Sequence, residues 1–313
     1  MKKTICMGMI VGDFLVKPVE KMPEKGKSTL IDRSELQIGG CATNTGLILK
    51  KLGGEVAIVG KVGNDNLGKF ILNKLEEEGI ETEGIKITDK TNTSGTAVLV
   101  HSDGERSFIH SVGANAEFTI EDIDFEYLKN FQILHIGGAL LMPKFDGLPM
   151  AETFKKAKEY GLITCLDTVW DEKGRWIKLL EPSFPYVDYF LPSIEEAKMI
   201  TGKNEPEEIA EFLLSKGVKN VCLKMGENGS FIMNSKEKHK FPALKINVVD
   251  TTGAGDGYVA GFIAGLIRDF SFEKCGLLAN LTGAKITTAM GATTGISSYE
   301  ELKDFGKKYG FEI

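Results

Sequence analysis

The stretch Asp250-Thr-Thr-Gly-Ala-Gly-Asp256, which continues as Gly257-Tyr-Val-Ala-Gly-Phe-Ile-Ala-Gly265, decides the interpretation of the chain. The β-branched run Lys245-Ile-Asn-Val-Val249 before it predicts a strand. The small and apolar residues after it predict about three turns of helix. A glycine-rich turn between a strand and a helix presents N–H groups at the positive end of the helix dipole, so the stretch predicts an anion site.

The carboxylate of Asp256 stands in this anion site, where it would repel a bound phosphate. One explanation is catalytic. The carboxylate takes a proton from an attacking hydroxyl, while the N–H groups of the turn hold the phosphoryl charge. The alternative is that Asp256 only caps the helix, because Asp is a preferred N-cap residue. The rest of the chain favours the catalytic explanation.

Two signatures in this chain resemble those of the ribokinase-like (PfkB) carbohydrate kinases. Residues 250–256 match the pattern Asp-Thr-x-Gly-Ala-Gly-Asp, and Gly39-Gly-Cys-Ala-Thr-Asn44 matches Gly-Gly-x-x-x-Asn. The resemblance implies an ATP-dependent kinase with Asp256 as the catalytic base. It also implies an anion hole formed by Gly253, Ala254 and Gly255.

The sugar is expected at the carboxyl edge of the sheet. Thr4 to Gly12 predicts the first strand and places Asp13 at its carboxyl end, where ligands bind in open parallel sheets. Asp13 alone is equally typical of a turn, but the family carries a sugar-binding Asp at this place. Gly39 and Gly40 let a ligand approach the backbone, and Asn44 offers a polyol both a donor and an acceptor.

A small sheet is expected to cover this site as a lid, formed by insertions at about 14–37 and 93–112. The second insertion predicts two strands joined by His101-Ser-Asp-Gly-Glu105, and Asp-Gly between β runs is a strong hairpin signal. Phe108 and His110 are expected to face the sugar or a partner subunit, or only to pack the lid sheet. The exposed lid edge predicts a homodimer.

The nucleotide side is predicted mainly by the resemblance. Ser193 and Glu196 form a capping box after the strand Tyr189-Phe-Leu191, at a place where family members carry a Glu that orders the water shell of magnesium. Lys224 is expected to contact phosphate or ribose, or to be a plain surface lysine. The implied ATP-binding residues are Ser193, Lys224, Gly226, Gly229, Gly253, Gly255, Asn280 and Gly283.

The resemblance also implies metal ions, namely Mg²⁺ with the ATP and K⁺ as a further cation. Magnesium keeps several waters, so a single carboxylate in its outer shell is chemically sensible. Relatives bind potassium through one carboxylate and several carbonyls, which suit a hard cation. The implied metal residues are Glu196 for magnesium and Asp250, Thr252, Ile286, Ala289 and Gly291 for potassium.

The composition and the order of strands and helices limit which fold classes and which partners are possible. The formal net charge of −6, with no basic block, argues against nucleic acid as the main partner. The five scattered cysteines indicate a reducing cytoplasm, and no apolar run is long enough to cross a membrane. Strands alternate with helices, two of them predicted at Glu121 to Asn130 and Leu277 to Met290. This order predicts a single α/β domain over 1–313, with a doubly wound, mostly parallel sheet.

The expected activity is phosphotransfer from ATP to a primary hydroxyl of a small neutral sugar similar to ribose or fructose. Asp171 stands where fructokinase-like and ketodeoxygluconate-kinase-like members tend to have an Arg, and an acidic substrate needs a guanidinium fork. Arg106 or Arg175 could substitute for it. Two alternatives are a nucleoside kinase of the same family and a sugar-binding protein that has lost catalysis.

Overall fold

The computed structural model describes residues 2–102 and 106–313. Its strands are β1 Lys3–Gly8, β2 Val11–Lys17, β3 Arg33–Gly39, β4 Glu55–Gly63, β5 Ile85–Thr88, β6 Gly95–Val100, β7 Arg106–Ser111, β8 Ile133–Ala139, β9 Ile163–Thr168, β10 Tyr189–Phe190, β11 Asn220–Lys224, β12 Ser230–Asn234 and β13 Lys238–Phe241. Its α-helices are α1 Cys41–Lys51, α2 Asn66–Glu77, α3 Phe125–Leu128, α4 Leu148–Glu159, α5 Trp176–Leu180, α6 Ile194–Thr201, α7 Pro206–Ser215, α8 Ala254–Ile267, α9 Phe272–Ile286 and α10 Tyr299–Lys308.

The strands form one large sheet and one small sheet. The large sheet has nine strands in the order β13-β12-β11-β10-β9-β8-β1-β4-β5, and the strands from β11 to β5 run parallel. Only β12 and β13 pair antiparallel, as a hairpin at one edge. The small sheet has the order β3-β2-β6-β7. This architecture confirms the predicted fold class.

Two hydrophobic cores cover the two faces of the large sheet. Successive residues of β1 alternate between them, so Ile5 and Met7 join one core while Cys6 joins the other. The first core packs against α4, α6 and α7, and the second against α1, α8 and α9. Because both faces are buried, the parallel strands are apolar at nearly every position.

The predicted first strand, Thr4 to Gly12, is two strands in the structure. Main-chain pairing in the large sheet stops at Gly8, and β2 then leaves to pair with β3 and β6 of the small sheet. Gly8 has a φ of 135°, and an added Cβ there would overlap the Gly137 carbonyl oxygen. Asp13 therefore lies within a lid strand, as the third residue of β2, and not in a loop at the end of β1.

Three further element predictions need correction. Residues 245–249 form no strand; they cross the surface as irregular chain, and Val248 and Val249 are about half exposed. The predicted helix at 121–130 is a 3₁₀ turn followed by the short α3, and the predicted helix at 277–290 begins earlier and ends at Ile286. β-branched content predicted the strand at 245–249, but the segment pairs with neither sheet.

The small sheet is formed by β2 and β3 together with β6 and β7. The Asp103-Gly104 turn predicted to join β6 and β7 lies outside the described residues, although the two strands pair antiparallel as a hairpin requires. Among the described helices, none combines the length and the apolar character needed to span a bilayer.

Candidate active site

The candidate site lies where the parallel strands end. Asp167 is the penultimate residue of β9, Lys224 is the last residue of β11, and Ser193 follows β10. The two helices that carry the signature residues, α1 and α8, pack against each other at the same edge. This is the edge at which open α/β sheets bind ligands.

The turn before α8 has the geometry of an anion hole. Gly253 is the N-cap, with a φ of 75°, and an added Cβ would overlap the backbone of Ala292. Ala254 N–H donates to the Thr251 carbonyl over 3.2 Å. Within the described residues the N–H groups of Gly253, Gly255 and Asp256 have no acceptor. Three donors at the positive end of a fourteen-residue helix are therefore available to an anion.

Asp256 lies in the first turn of α8 and is only 9% exposed. No capping bond of its side chain is found at the helix start, so the structure does not place it as an N-cap. Its Oδ2 accepts a hydrogen bond from Asn44 Nδ2 over 2.9 Å. Burial raises the pKa of Asp256 to about 6, and the Asn44 hydrogen bond and the Lys224 charge limit that rise. A carboxylate with this pKa is ionised at neutral pH and basic enough to accept a proton.

The first signature is brought next to Asp256. Asn44 lies in the first turn of α1; its Oδ1 is buried and has no partner among the described residues. Gly39 packs so closely on Asp13 that an added Cβ would overlap the Asp13 carboxylate. Burial raises the pKa of Asp13, while a Thr96 hydrogen bond and the Arg106 charge oppose the rise. Carboxylate and amide oxygens thus point into one small polar space.

Phe108 and His110 lie on the same face of the small sheet as Asp13. The pairing register connects Asp13 with Thr96 and Thr96 with His110, and His110 Nδ1 lies 3.1 Å from Thr96 Oγ1. Phe108 is 59% exposed, so it does not pack a lid interior. Both side chains stay predicted substrate-facing residues.

Lys224 is buried at the centre of the phosphate side, and the surface-lysine alternative is wrong. Its Nζ lies 2.6 Å from Asp167 Oδ1 and about 3.5 Å from where a Cβ on Gly255 would be. Burial alone would lower the pKa of Lys224, but Asp167 and Glu196 outweigh it and raise that pKa. Burial and the Glu196 charge raise the pKa of Asp167 to about 7, against the opposing effect of Lys224. A fixed ammonium beside the open amides suits a phosphate oxygen.

The predicted capping box at Ser193 and Glu196 is present. Glu196 Oε2 accepts from Ser193 N–H over 2.9 Å and from Thr168 Oγ1 over 3.0 Å. In the described chain, no hydrogen bond reaches Oε1, and no group of three or more His, Cys, Asp or Glu side chains has the arrangement of a metal cage. One free carboxylate oxygen fits a magnesium ion that is held mainly by water and nucleotide phosphates.

A cavity of about 540 Å³ lies beside the turn of α8. It brings together most of the predicted nucleotide residues, namely Lys224, Gly226, Gly229, Gly255, Asn280 and Gly283. Asn280 is fixed by hydrogen bonds with Ser230 and with the Pro242 carbonyl. The cavity has the size of a small-molecule pocket and opens towards the anion hole.

The predicted potassium ligands do not fit a bound potassium ion. The Asp250 carboxylate forms an ion pair with Arg106, and it also accepts from the N–H groups of Thr252 (2.9 Å) and Gly291 (2.6 Å). The Ile286 carbonyl accepts from Ala289 N–H over 3.4 Å. A carboxylate that already holds three donors has no free charge for a cation.

Arg175 and Asp171 form their own cluster. Arg175 Nη2 donates to Asp171 Oδ1 over 3.0 Å and to the Leu140 carbonyl over 2.9 Å. Asp171 also accepts from the N–H groups of Lys173, Arg175 and Trp176. These contacts shape the loop after β9 and pair the Arg175 guanidinium with a carboxylate of its own loop.

Sequence reasoning missed three contributors to the site. Asp167 pairs with Lys224, Thr96 supports Asp13, and Arg106 reaches Asp250. The position of Asp167 at the carboxyl end of a buried strand could have indicated it. The Thr96 contact depends on strand pairing within the small sheet, and the Arg106 contact on how that sheet folds over the large one. Lys245, Ile246 and Val248 were predicted as part of a strand and instead line the nucleotide cavity.

Comparisons with known proteins agree with this geometry. The pfkB family carbohydrate kinase model matches residues 1–298. The chain is 28% identical over 301 residues to the ATP-dependent 6-phosphofructokinase of Thermoanaerobacterium thermosaccharolyticum, covering 94% of this chain and 92% of that protein. Ribokinase from Thermotoga maritima superposes with a TM-score of 0.81 at 26% identity, covering 98% and 100% of the two chains. Arabidopsis thaliana ribokinase complexed with ribose and ATP gives a TM-score of 0.85 at 23% identity, with 97% and 98% covered.

Proposed function

Because this chain belongs to the pfkB family of carbohydrate kinases and is an ATP-dependent carbohydrate kinase, we propose that it phosphorylates a primary hydroxyl of a small neutral sugar. The observation that carries the proposal is the placement of Asp256. Its buried carboxylate, with a pKa of about 6, stands between the free amides of the α8 turn and the polar space around Asn44. A base and an anion hole on one helical turn suit in-line phosphoryl transfer.

In the proposal, the sugar lies between the lid and α1. Asp13 and the buried Asn44 Oδ1 accept its hydroxyl hydrogens, and the glycines at 39 and 40 let it approach the main chain. The target hydroxyl then lies within reach of Asp256, which removes its proton as the oxygen attacks. The Asn44 amide keeps the carboxylate oriented by donating to Oδ2.

The phosphate side holds the charge that develops during transfer. The N–H groups of Gly253 and Gly255 and the Lys224 ammonium converge on the space beside Asp256, and the adjoining cavity receives the nucleotide. When bound, Mg²⁺ neutralises part of the phosphate charge. Glu196 is the residue assigned to it, through the free Oε1 and water, because the described residues form no cage of their own.

The charge pattern favours a neutral sugar. Arg106 and Arg175 were the candidate partners for an acidic substrate, and both are paired with carboxylates, Asp250 and Asp171. The relatives carry different substrate names, phosphofructokinase and ribokinase, so the family alone does not choose. A nucleoside is the second candidate, since the exposed ring of Phe108 on the substrate face could stack on a base.

The test of the base assignment is Asp256→Asn, which keeps the shape and the Asn44 contact but cannot accept the proton. We expect kcat to fall about 10²-fold or more while sugar binding, measured by calorimetry, changes little. The matched control is Asp269→Asn, an exposed carboxylate just beyond the same helix. Near-normal turnover of Asp256→Asn would refute the base assignment.

The substrate is identified by measuring ADP release with each candidate acceptor in turn: ribose, fructose, ketodeoxygluconate, aminosugars and nucleosides. The proposal expects turnover with a neutral sugar, and preference for adenosine or inosine would select the nucleoside kinase. Tight sugar binding without ADP release from any of them would favour the inactive sugar-binding protein.

We also propose a homodimer formed through the outer face of the lid, away from Asp13. One cross-strand row on that face is Leu36, Phe14, Ala97 and Ile109. Its three large side chains are 39–54% exposed, an apolar patch typical of an interface. Sedimentation of Ile109→Ser should show monomer, whereas Ile87→Ser, equally exposed on β5, should stay dimeric. A wild-type monomer contradicts this proposal.

Because all five cysteines are free, a reducing cytoplasm is the proposed compartment.

A further inference from the structure

Arg106 connects the lid to the catalytic turn. It is the first residue of β7 in the small sheet, and its guanidinium donates to the Asp250 carboxylate and to Thr252 Oγ1. The two charged side chains are 9% and 4% exposed. An ion pair this well buried is costly to separate, because either charge alone would stay in a poorly hydrated place.

Asp250 is the residue at which three segments meet. Its carboxylate takes the Arg106 guanidinium from the lid, the Thr252 N–H from the turn that leads into α8, and the Gly291 N–H from the loop after α9. Gly253, the N-cap of α8, follows Thr252 directly, and its close contact with Ala292 ties it to that same loop. The position of the anion-hole amides therefore depends on what neutralises Asp250.

The charge at this place differs from what the family resemblance implied. Three segments converge on the Asp250 carboxylate, and a buried charge is costly unless it is paired. The expected partner was a dissociable potassium ion, but the site is filled by a guanidinium that belongs to the chain. Unlike a bound ion, this cation is attached to strand β7, so its position depends on where the small sheet lies.

We propose that Arg106 is a positioning residue that serves as a built-in cation and holds the anion hole in its working geometry only while the lid is docked. This inference rests on the proposed kinase function. Docking of the lid and assembly of the anion hole then occur together. ATP is therefore not aligned for transfer while the site is open to water. The same residue makes turnover independent of added monovalent cations.

The variants are Arg106→Ala, which removes the cation, and Arg106→Lys, which keeps a charge but loses the fork. The matched control is Arg33→Ala, which removes an exposed arginine on lid strand β3 that forms an ion pair with Glu35. Turnover is measured in buffers containing potassium, sodium or choline as the only monovalent cation. Thermal unfolding shows that each variant is folded at the assay temperature.

We expect the wild type to turn over equally in the three buffers. Arg106→Ala should lose about 10²-fold in kcat, as expected for a displaced reacting geometry, and should regain part of it on addition of potassium or guanidinium ions. The kcat of Arg106→Lys should lie between those of Arg106→Ala and the wild type, and the kcat of Arg33→Ala should equal that of the wild type. A merely structural arginine would not give rescue by a small cation.

A second readout does not depend on catalysis. Hydrogen exchange of the Thr252 and Gly291 amides, which both donate to Asp250, should be faster in Arg106→Ala than in the wild type. Unchanged exchange together with unchanged kcat would overturn the proposal, and so would a wild type that needs potassium. If no sugar or nucleoside is phosphorylated at all, the proposed function fails, whereas the exchange experiment still decides the role of Arg106.

Discussion

Two helices begin at the active site after a glycine, and the two turns are held in different ways. α1 follows Gly40 and α8 follows Gly253; their φ angles are 95° and 75°, and neither helix has a capping side chain. The Asn44–Asp256 hydrogen bond joins the two helices within their first turns. Both starts are therefore open to a ligand, one to a polyol and one to a phosphate.

The turn before α1 is fixed by close packing on the Asp13 side chain and by a hydrogen bond to the main chain. Gly39 packs on Asp13, and Thr43 Oγ1 donates to the Gly40 carbonyl over 2.9 Å. The turn before α8 is fixed by charges: Arg106 with Asp250 on one side, and Lys224 with Asp167 on the other. The sugar turn is thus held mainly by packing, whereas the phosphate turn is held mainly by two ion pairs.

The largest expected effect comes from adding a methyl group to each turn. Gly253→Ala places Cβ on the Ala292 backbone and displaces the free amides, so kcat should fall about 10²-fold or more. Gly39→Ala places Cβ on the Asp13 carboxylate, so the sugar KM should rise about tenfold or more, with a smaller change in kcat. Steady-state kinetics with each substrate varied in turn separates the two effects.

The control for both glycine variants is Gly161→Ala. Gly161 has a φ of 81° and open space around it, so this variant reports backbone strain alone, about 1–2 kcal/mol. If Gly253→Ala and Gly39→Ala changed the same kinetic constant, the division into a sugar turn and a phosphate turn would be wrong.

A second test asks whether Lys224 is there for charge balance or for the nucleotide. Lys224→Met leaves the buried Asp167 without its partner and should lower the free energy of unfolding by about 3–5 kcal/mol. It should also raise the ATP KM about 10–100-fold, the loss expected for a hydrogen bond to a charged group. Urea unfolding and kinetics measure the two quantities separately.

The double variant Lys224→Met with Asp167→Asn provides the control. It removes the unpaired charge, so most of the lost stability should return while the ATP KM stays high. If both the free energy of unfolding and the ATP KM returned to their wild-type values, Lys224 would act only through Asp167. If neither returned, the buried pair would not be the source of the destabilisation.

The sequence predicted the features that depend on local patterns, but it did not predict the contacts between distant segments. The alternation of strands and helices and the two glycine turns depend on local patterns, and these predicted the fold class and the placing of Asp256 and Asn44 near the carboxyl edge. The Asn44–Asp256 contact spans 212 positions and the Arg106–Asp250 pair 144. The first pair is decided by how α1 packs on α8, and the second by how the small sheet folds over the large one; no local pattern encodes either.

The two clearest errors have a common physical cause. Residues 245–249 have the composition of a strand, and Thr4 to Gly12 has that of one continuous strand. Strand formation, however, requires a partner edge. The first segment pairs with neither sheet, and the second is shared between the two sheets. The potassium ligands were predicted from the family resemblance alone, and the arginine that pairs with Asp250 lies on a distant strand.

The smallest expected effect is a shift of the pH profile, and it probes the one bond that joins the two turns. Because burial raises the pKa of Asp256 to about 6, the base is protonated below that value, and kcat should fall about tenfold per pH unit there. Asn44→Ala removes a donor that favours the ionised carboxylate, so the pKa of Asp256 should rise further and the acid limb should move to higher pH. The titration of ATP itself is common to both proteins and cancels in the comparison. Asn44→Ala could instead raise the sugar KM and leave the acid limb of the kcat profile at the same pH. That result would mean that Asn44 serves the sugar alone and that the two turns are electrostatically independent.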